Sequence, residues 1–294
     1  MDGQRILMDV NSWLVKLSRG EVSLTPAMVD TMNADIKTSL LQEHTDEFRL
    51  RMSNLGRSTC QLQQEKMGSK RVPKREQQQS SIFAFGHMAE AWLVMVMRAA
   101  GVPITSEQET VELKVGGSLI KGTMDLTIKY NEDVVWDIKS ASDYAFKKFK
   151  SGFDAVHDSD PFGYIDQGFG YGKAAKKRFG GWIVINKNTS EICVCETPMV
   201  TDQLEKESME RIKTTIKTIE SDAPFKRGYD DEPETFRKKV TGNRKLAFAC
   251  EWCDFRESCW EGVTHRPSVM STAMEPPWYY YTELNNLNEE EEAV

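Results

Sequence analysis

The sequence predicts an α/β domain built around one mixed sheet, and three observations carry that expectation. Residues 83–100 form an apolar, helix-favouring stretch closed by Gly101 and Pro103. Three strand-like segments follow, 110–115, 118–130 and 134–140, separated by a Gly116-Gly117 turn and an Asn131-Glu132-Asp133 turn. A second helical stretch, 162–179, leads to two more strands, 182–186 and 191–197, across Asn188-Thr189-Ser190. The order helix, three strands, helix, strand is that of a sheet with helices packed on it.

Further helices are expected at both ends. Met28, Met32, Ile36, Leu40 and Leu41 give residues 26–53 an amphipathic helical pattern, and Ile212, Ile216 and Ile219 mark one side of a helix over 201–221. Residues 66–81, polar, basic and interrupted by Pro73, read as an exposed loop. The division expected is an N-terminal helical region (1–53), a main domain (54–265) and a tail (266–294) whose acidic end, Glu289 to Glu292, is disordered.

Composition excludes several classes. With 294 residues, 39 % hydrophobic and 28 % charged, the chain can bury a sizeable core, so disorder is not the default. No apolar run approaches the roughly 20 residues that span a bilayer, and the N-terminus lacks the basic flank of a secretory signal. No membrane partner and a cytoplasmic protein are therefore expected. The net charge of −7 alone argues against nucleic acid, but the tail supplies four of the negatives.

Three stretches carry the chemistry: Gly86-His87-Met88-Ala89-Glu90 in the first core helix, Gly122-Thr123-Met124-Asp125 on the long strand and Trp136-Asp137-Ile138-Lys139 on the next. On a strand, Asp137 and Lys139 project to one face and Ile138 to the other. A tight antiparallel register brings Asp125 close to Asp137. Two carboxylates held together repel and favour a cation between them. A hard divalent ion such as Mg²⁺ takes such oxygen ligands, and Lys139 beside it can hold the attacking water and offset charge in the transition state.

In order and spacing, Gly86-x-x-x-Glu90, Gly122-x-x-Asp125 and Asp137-x-Lys139 resemble the PD-(D/E)XK nuclease superfamily. The resemblance implies a restriction-endonuclease-like αβββαβ core. Glu90, Asp125 and Asp137 would be Mg²⁺ or Mn²⁺ ligands, the Ile138 carbonyl an extra ligand and Lys139 the catalytic lysine. Many RecB-like members carry a histidine at the first position, so His87 is a further candidate. Gln167 and Tyr171, one helical turn apart, resemble the Q-x-x-x-Y motif that contacts DNA in the same family.

Of six cysteines, Cys193 and Cys195 alternate on a strand and read as core. Cys250, Cys253 and Cys259 form C-x2-C-x5-C, and Cys60 is the remaining thiol for a fourfold site. Spacing leaves zinc and iron–sulfur both open. One upstream cysteine and three downstream, bracketing this core, resemble the iron–sulfur branch of RecB-like nucleases, which includes the AddB nuclease domain and CRISPR-associated exonucleases. This implies a 4Fe–4S cluster that joins N- and C-terminal helical additions, with zinc the alternative.

Basic runs at 66–75, at Lys147, Lys148 and Lys150, and at Lys173, Lys176, Lys177 and Arg178 suggest phosphate contact. Phe146, Phe149, Phe153 and Phe162 accompany the second run and suit stacking on unpaired bases. The function expected is a metal-dependent DNA exonuclease acting on single-stranded or frayed ends, in phage or mobile-element recombination and replication. The alternatives are a structure-specific endonuclease on the same core and a non-catalytic DNA-binding adaptor. The acidic tail is a candidate site for a protein partner.

Overall fold

The computed structural model describes residues 2–41, 47–72, 76–268 and 270–285, with only the backbone described for 76–80. Along the chain run α1 (Asp2–Ser18), α2 (Pro26–Leu40), a 3-10 turn (Met52–Asn54), α3 (Thr59–Lys66), α4 (Glu76–Ala99), β1 (Ile104–Val115), β2 (Ser118–Lys129) and β3 (Asp133–Ala141). Then come α5 (Asp143–Lys150), α6 (Phe153–His157), α7 (Tyr164–Ala175), β4 (Arg178–Asn186), β5 (Ile192–Glu196) and α8 (Asp202–Glu220). The C-terminal part holds β6 (Glu232–Phe236), β7 (Lys239–Lys245), α9 (Phe248–Glu251), α10 (Arg256–Cys259), β8 (Thr264–Pro267) and β9 (Trp278–Glu283). The chain divides into two compact units, Met1–Gly56 with Lys74–Lys217, and Arg57–Pro73 with Thr218–Val294. These divisions fall elsewhere than at 53/54 and 265/266.

The first unit is α/β with a mixed sheet of order β1-β2-β3-β4-β5. Gly116 and Gly117, both with positive φ (60° and 94°), close the β1–β2 hairpin at the Val115–Ser118 pair, the left-handed turn that matches strand twist. All neighbours are antiparallel except β3 and β4. A parallel pair needs a crossover, and α5 to α7 supply it. β4 lies between two partners, and all but its first residue are buried.

Each face of this sheet carries one apolar layer. Ile6, Val10 and Trp13, spaced to one side of α1, and Leu93, Val96 and Met97 of α4 pack on Trp136, Ile138 and Ile183. On the opposite face, Phe146 and Phe149 of α5, Ile165 and Phe169 of α7 and Ile212 and Ile216 of α8 meet Val135, Trp182 and Val184. The stretch Ser81–Ala99 is, by length and composition, apolar enough to cross a bilayer, contrary to the expectation that no run approaches that length. Here its C-terminal half is spent on the first of these layers.

The second unit has a four-stranded antiparallel sheet of order β6-β7-β9-β8. Glu234 is buried within it, 1 % exposed. The helical additions expected at the C-terminus are, apart from the one-turn helices α9 and α10, this sheet. The signal was hidden in its turn: Arg237 and Lys238 adopt φ of 49° and 65°, a backbone that normally announces itself by Asn or Gly.

Other expectations shift at their edges. The loop expected over 66–81 contains the end of α3 and the start of α4, since polar Gln and Ser continue a helix once the apolar part anchors it. The helix expected over 26–53 ends at Leu40. That expected to 179 stops at Ala175, because Lys176 caps it in the left-handed conformation (φ 56°). The acidic tail lies outside the described residues, as do Lys74 and Arg75 of the first basic run.

Candidate functional site

The first site forms where a strand ladder stops. β2 and β3 pair from Lys129–Asp133 to Leu126–Trp136. One step further on, Asp125 faces Asp137, and no backbone rung follows. The freed Ile138 N–H instead donates to Asp125 Oδ2 at 2.8 Å. A side-chain oxygen thus replaces a backbone carbonyl, satisfying a buried donor and fixing one carboxylate beside the other.

Asp137 is 4 % exposed. Its Oδ2 forms an ion pair with Lys139 Nζ at 2.8 Å. Burial pushes the Asp137 carboxyl up to about 7; Lys139 opposes this and the Asp125 carboxylate adds to it. Asp125 is raised by burial as well, with Lys139 pulling against and Glu90 adding repulsion. Burial disfavours the Lys139 ammonium, but Asp137 and Asp125 more than compensate and hold it protonated. Its Nζ also lies 5.4 Å from the centroid of the Tyr164 ring.

α4 brings Glu90 within electrostatic reach of Asp125. His87 Nδ1 stands 3.8 Å from Glu90 Oε2 across one helical turn, and that carboxylate raises the imidazole pKa against partial burial. His87 therefore balances Glu90 in this structure. α7 presents Tyr171, buried, with Gln167 as its hydrogen-bonding neighbour. Burial and the charges of Asp137 and Asp125 raise the Tyr171 pKa, which places its hydroxyl on the site.

Sequence reasoning missed two supports. Gln108 sits opposite Asp125 on β1 with φ of 48°, unusual without glycine, and its Nε2 approaches Asp125 Oδ1 at 3.5 Å. No local motif marks it. Gly122 allows close packing: a Cβ there would stand 2.3 Å from Met52 Cβ and 3.0 Å from the Tyr171 ring. Gly122 belongs to the quoted pattern, and its reason is this steric one.

The proposed DNA contacts fare unevenly. Phe146, Phe149 and Phe153 are core residues, at most 7 % exposed, so they cannot stack on bases; the alternation of Lys and Phe is that of an amphipathic helix. Phe162 is exposed. Lys148 donates to the Ser159 carbonyl, Lys150 pairs with Glu191 at 2.5 Å and Lys173 with Glu205 at 2.8 Å. Lys147 is exposed.

A second cluster lies in the second unit. Cys60 on α3, Cys250 on α9, Cys259 on α10 and Cys253 between them line one small cavity with Tyr229, Phe255 and Trp260. All four are free thiols. Burial pushes Cys250 up to about 12 and Cys253 to about 11, and it raises Cys259; Cys60 adds to each. Arg227 donates to the Cys259 carbonyl at 2.7 and 3.1 Å and lies over the Trp260 ring. Cys193 and Cys195 are buried strand residues, as their alternation suggested.

Among the described residues, no group of three or more His, Cys, Asp or Glu side chains has the spacing of a ready-made metal site. No family model matches the chain. No curated protein matches it either. Among solved structures, the crystal structure of SSO0001 is similar at 14 % identity and a TM-score of 0.39, over 79 % of this chain and 95 % of that one.

Proposed function

We propose that this chain is a divalent-metal-dependent DNA nuclease with a PD-(D/E)XK-type αβββαβ core, hydrolysing phosphodiester bonds at single-stranded or frayed ends. The observation that carries the reading is the pair Asp125 and Asp137 held beside Lys139 where the β2–β3 ladder ends, with Glu90 in electrostatic reach of Asp125. Two buried carboxylates share one ammonium there, and Glu90, partly exposed and paired with His87, adds its field at Asp125. Buried carboxylates short of compensation concentrate at functional sites.

The residues fit a hard cation. All the acidic donors are oxygens, which suits Mg²⁺ or Mn²⁺, and the two buried carboxylates Asp125 and Asp137 have a single ammonium between them. Asp125, Asp137, Glu90 and the Ile138 carbonyl would hold the ion. When bound, it would polarise the phosphoryl oxygen and lower the pKa of a water. Lys139, kept charged by its neighbours, would hold the attacking oxygen and stabilise charge as it develops on phosphate. The Ile138 N–H fixes Asp125, so this carboxylate need not reorganise during the reaction. Tyr171 and Gln167 would orient the scissile phosphate.

The four thiols of the second unit fit a soft metal. They share one cavity, and thiolates bind zinc or iron–sulfur clusters. The raised pKa values of Cys250, Cys253 and Cys259 mean that binding must release protons. We read the group as a structural 4Fe–4S cluster that would staple α3 to the α9–α10 segment. A colourless pure protein carrying stoichiometric zinc would replace iron by zinc in this reading.

A time course on 5′- and 3′-labelled strands, single and double, with Mg²⁺ or Mn²⁺ tests the reaction. Stepwise shortening from one end, abolished by EDTA and by Lys139→Ala, is the expected outcome. Unchanged Mn²⁺-dependent cleavage in Lys139→Ala overturns the catalytic assignment, and nicking of closed circles overturns the exonuclease reading.

A further inference from the structure

The C-terminal half of α4 is buried on the sheet, but its N-terminal half is not. There Ile82, Phe85 and Met88 stand 56 %, 67 % and 46 % exposed. With Ala89, Trp92 and Ile185 they line a groove of about 630 Å³, whose polar lining is Lys187 and Ser190. An apolar cavity of about 150 Å³ already takes a benzene ring, so this groove has room for several large side chains. Ile82, Phe85, Ala89 and Trp92 follow one another at intervals of three, four and three residues. That is the spacing of a seam between two helices. The next position of the seam, Val96, is fully buried within the first unit. The seam is thus covered at one end and bare at the other.

Chemistry says what would cover the bare end. The stripe carries no charge, and the groove has one ammonium, Lys187, just past β4. A phosphate backbone calls for a line of cations, so nucleic acid is a poor match, whereas an apolar helix needs none. An uncharged stripe also meets its own image without repulsion. In an antiparallel pair, a twofold axis between Phe85 and Ala89 sets the Phe85 ring of each copy over Ala89 of the other and Ile82 against Trp92. The small Ala89 leaves the space that the large Phe85 needs.

We propose that two copies of this chain associate through the N-terminal halves of α4, antiparallel, with the groove of each as the socket for Phe85 and Ile82 of the other. The proposal stands apart from the nuclease reading. Glu90 lies five residues from Phe85, about 140° around the helix, so the contact does not cover the side of α4 that faces Asp125. The stripe supplies the centre of an interface rather than the about 800 Å² per partner of a standard one, so affinity of about micromolar order is expected.

The test is sedimentation velocity of the full chain over a dilution series up to about 100 µM, well above a micromolar dissociation constant. The unsubstituted chain is expected to pass from monomer to dimer. Phe85→Asp, which sets a carboxylate in the seam, should weaken association about a hundredfold or more. Phe85 is exposed, so this variant is expected to fold, and thermal melting checks it. Val200→Asp, at an apolar residue 80 % exposed elsewhere in the first unit, should leave association unchanged. Ala89→Lys alone should also give monomers. An equimolar mixture of Ala89→Lys with Phe85→Asp should give dimers again, since only the mixed pair sets an ammonium against a carboxylate. An unsubstituted chain that stays monomeric at the top of the series overturns the proposal. A folded Phe85→Asp chain that dimerises as before also overturns it, because the contact then lies elsewhere. A mixture that fails to associate overturns the antiparallel pairing.

Discussion

Two buried carboxylates, one in each unit, are treated in opposite ways. Glu234 accepts from Tyr281, Asn243, Ser268 and Thr241 at 2.6 to 2.9 Å, and these bonds overcome burial to hold its pKa below the usual range. Asp137, as deeply placed, has one ion pair and a second carboxylate opposite it, and burial lifts its pKa. Glu234 has all it needs within the chain and reads as architecture. Asp137 is left short of compensation, which is a reason to look for a ligand there.

The largest effect should come from removing the unsatisfied charge. Asp137→Asn is expected to cut metal-dependent cleavage by about a thousandfold or more, while the thermal midpoint in EDTA stays level or rises because carboxylate repulsion is relieved. A variant that is both inactive and strongly destabilised would break the contrast. Glu234→Gln should cost about 2 kcal/mol in urea unfolding, since it weakens charge-assisted bonds and turns an acceptor into a donor facing donors. Gly122→Ala should cost about 1–3 kcal/mol, because Met52 or the Tyr171 ring must move to admit the methyl group. Activity is expected to fall more than stability, as Tyr171 lies against Asp125 and Asp137.

The smallest effect is a pH dependence. The folded pKa of Glu234 lies below its unfolded value of about 4.3. Its contribution to stability is therefore complete above that value and is lost as pH falls through the depressed folded pKa. Glu234→Gln should flatten the acid limb of stability below about pH 4 relative to the unsubstituted chain, read by chemical unfolding across a pH series. An unchanged acid limb would mean that Glu234 is not the group that sets it.

Much of the first unit was legible in the sequence because its signals are local. The Gly116-Gly117 turn fixed the hairpin, and period-two alternation put Asp137 and Lys139 on one face. The equivalence of Asp125 and Asp137 followed from register. What stayed hidden depends on contacts distant in sequence. Gln108 gains its place only through the backbone opposite Asp125. Phe146 and Phe149 looked like a stacking surface until α5 turned them inward. The second sheet was missed because its hairpin turns on Arg237 and Lys238 and its last strand, Trp-Tyr-Tyr-Tyr, follows two prolines in what read as a tail.

The rung that Asp125 lends to Ile138 has a practical consequence. That amide is protected by a side chain rather than by a strand, so its exchange with deuterium should follow the ionisation and ligation of Asp125. One backbone proton then becomes a spectroscopic gauge of whether the carboxylates are engaged, and it can be read without adding any DNA.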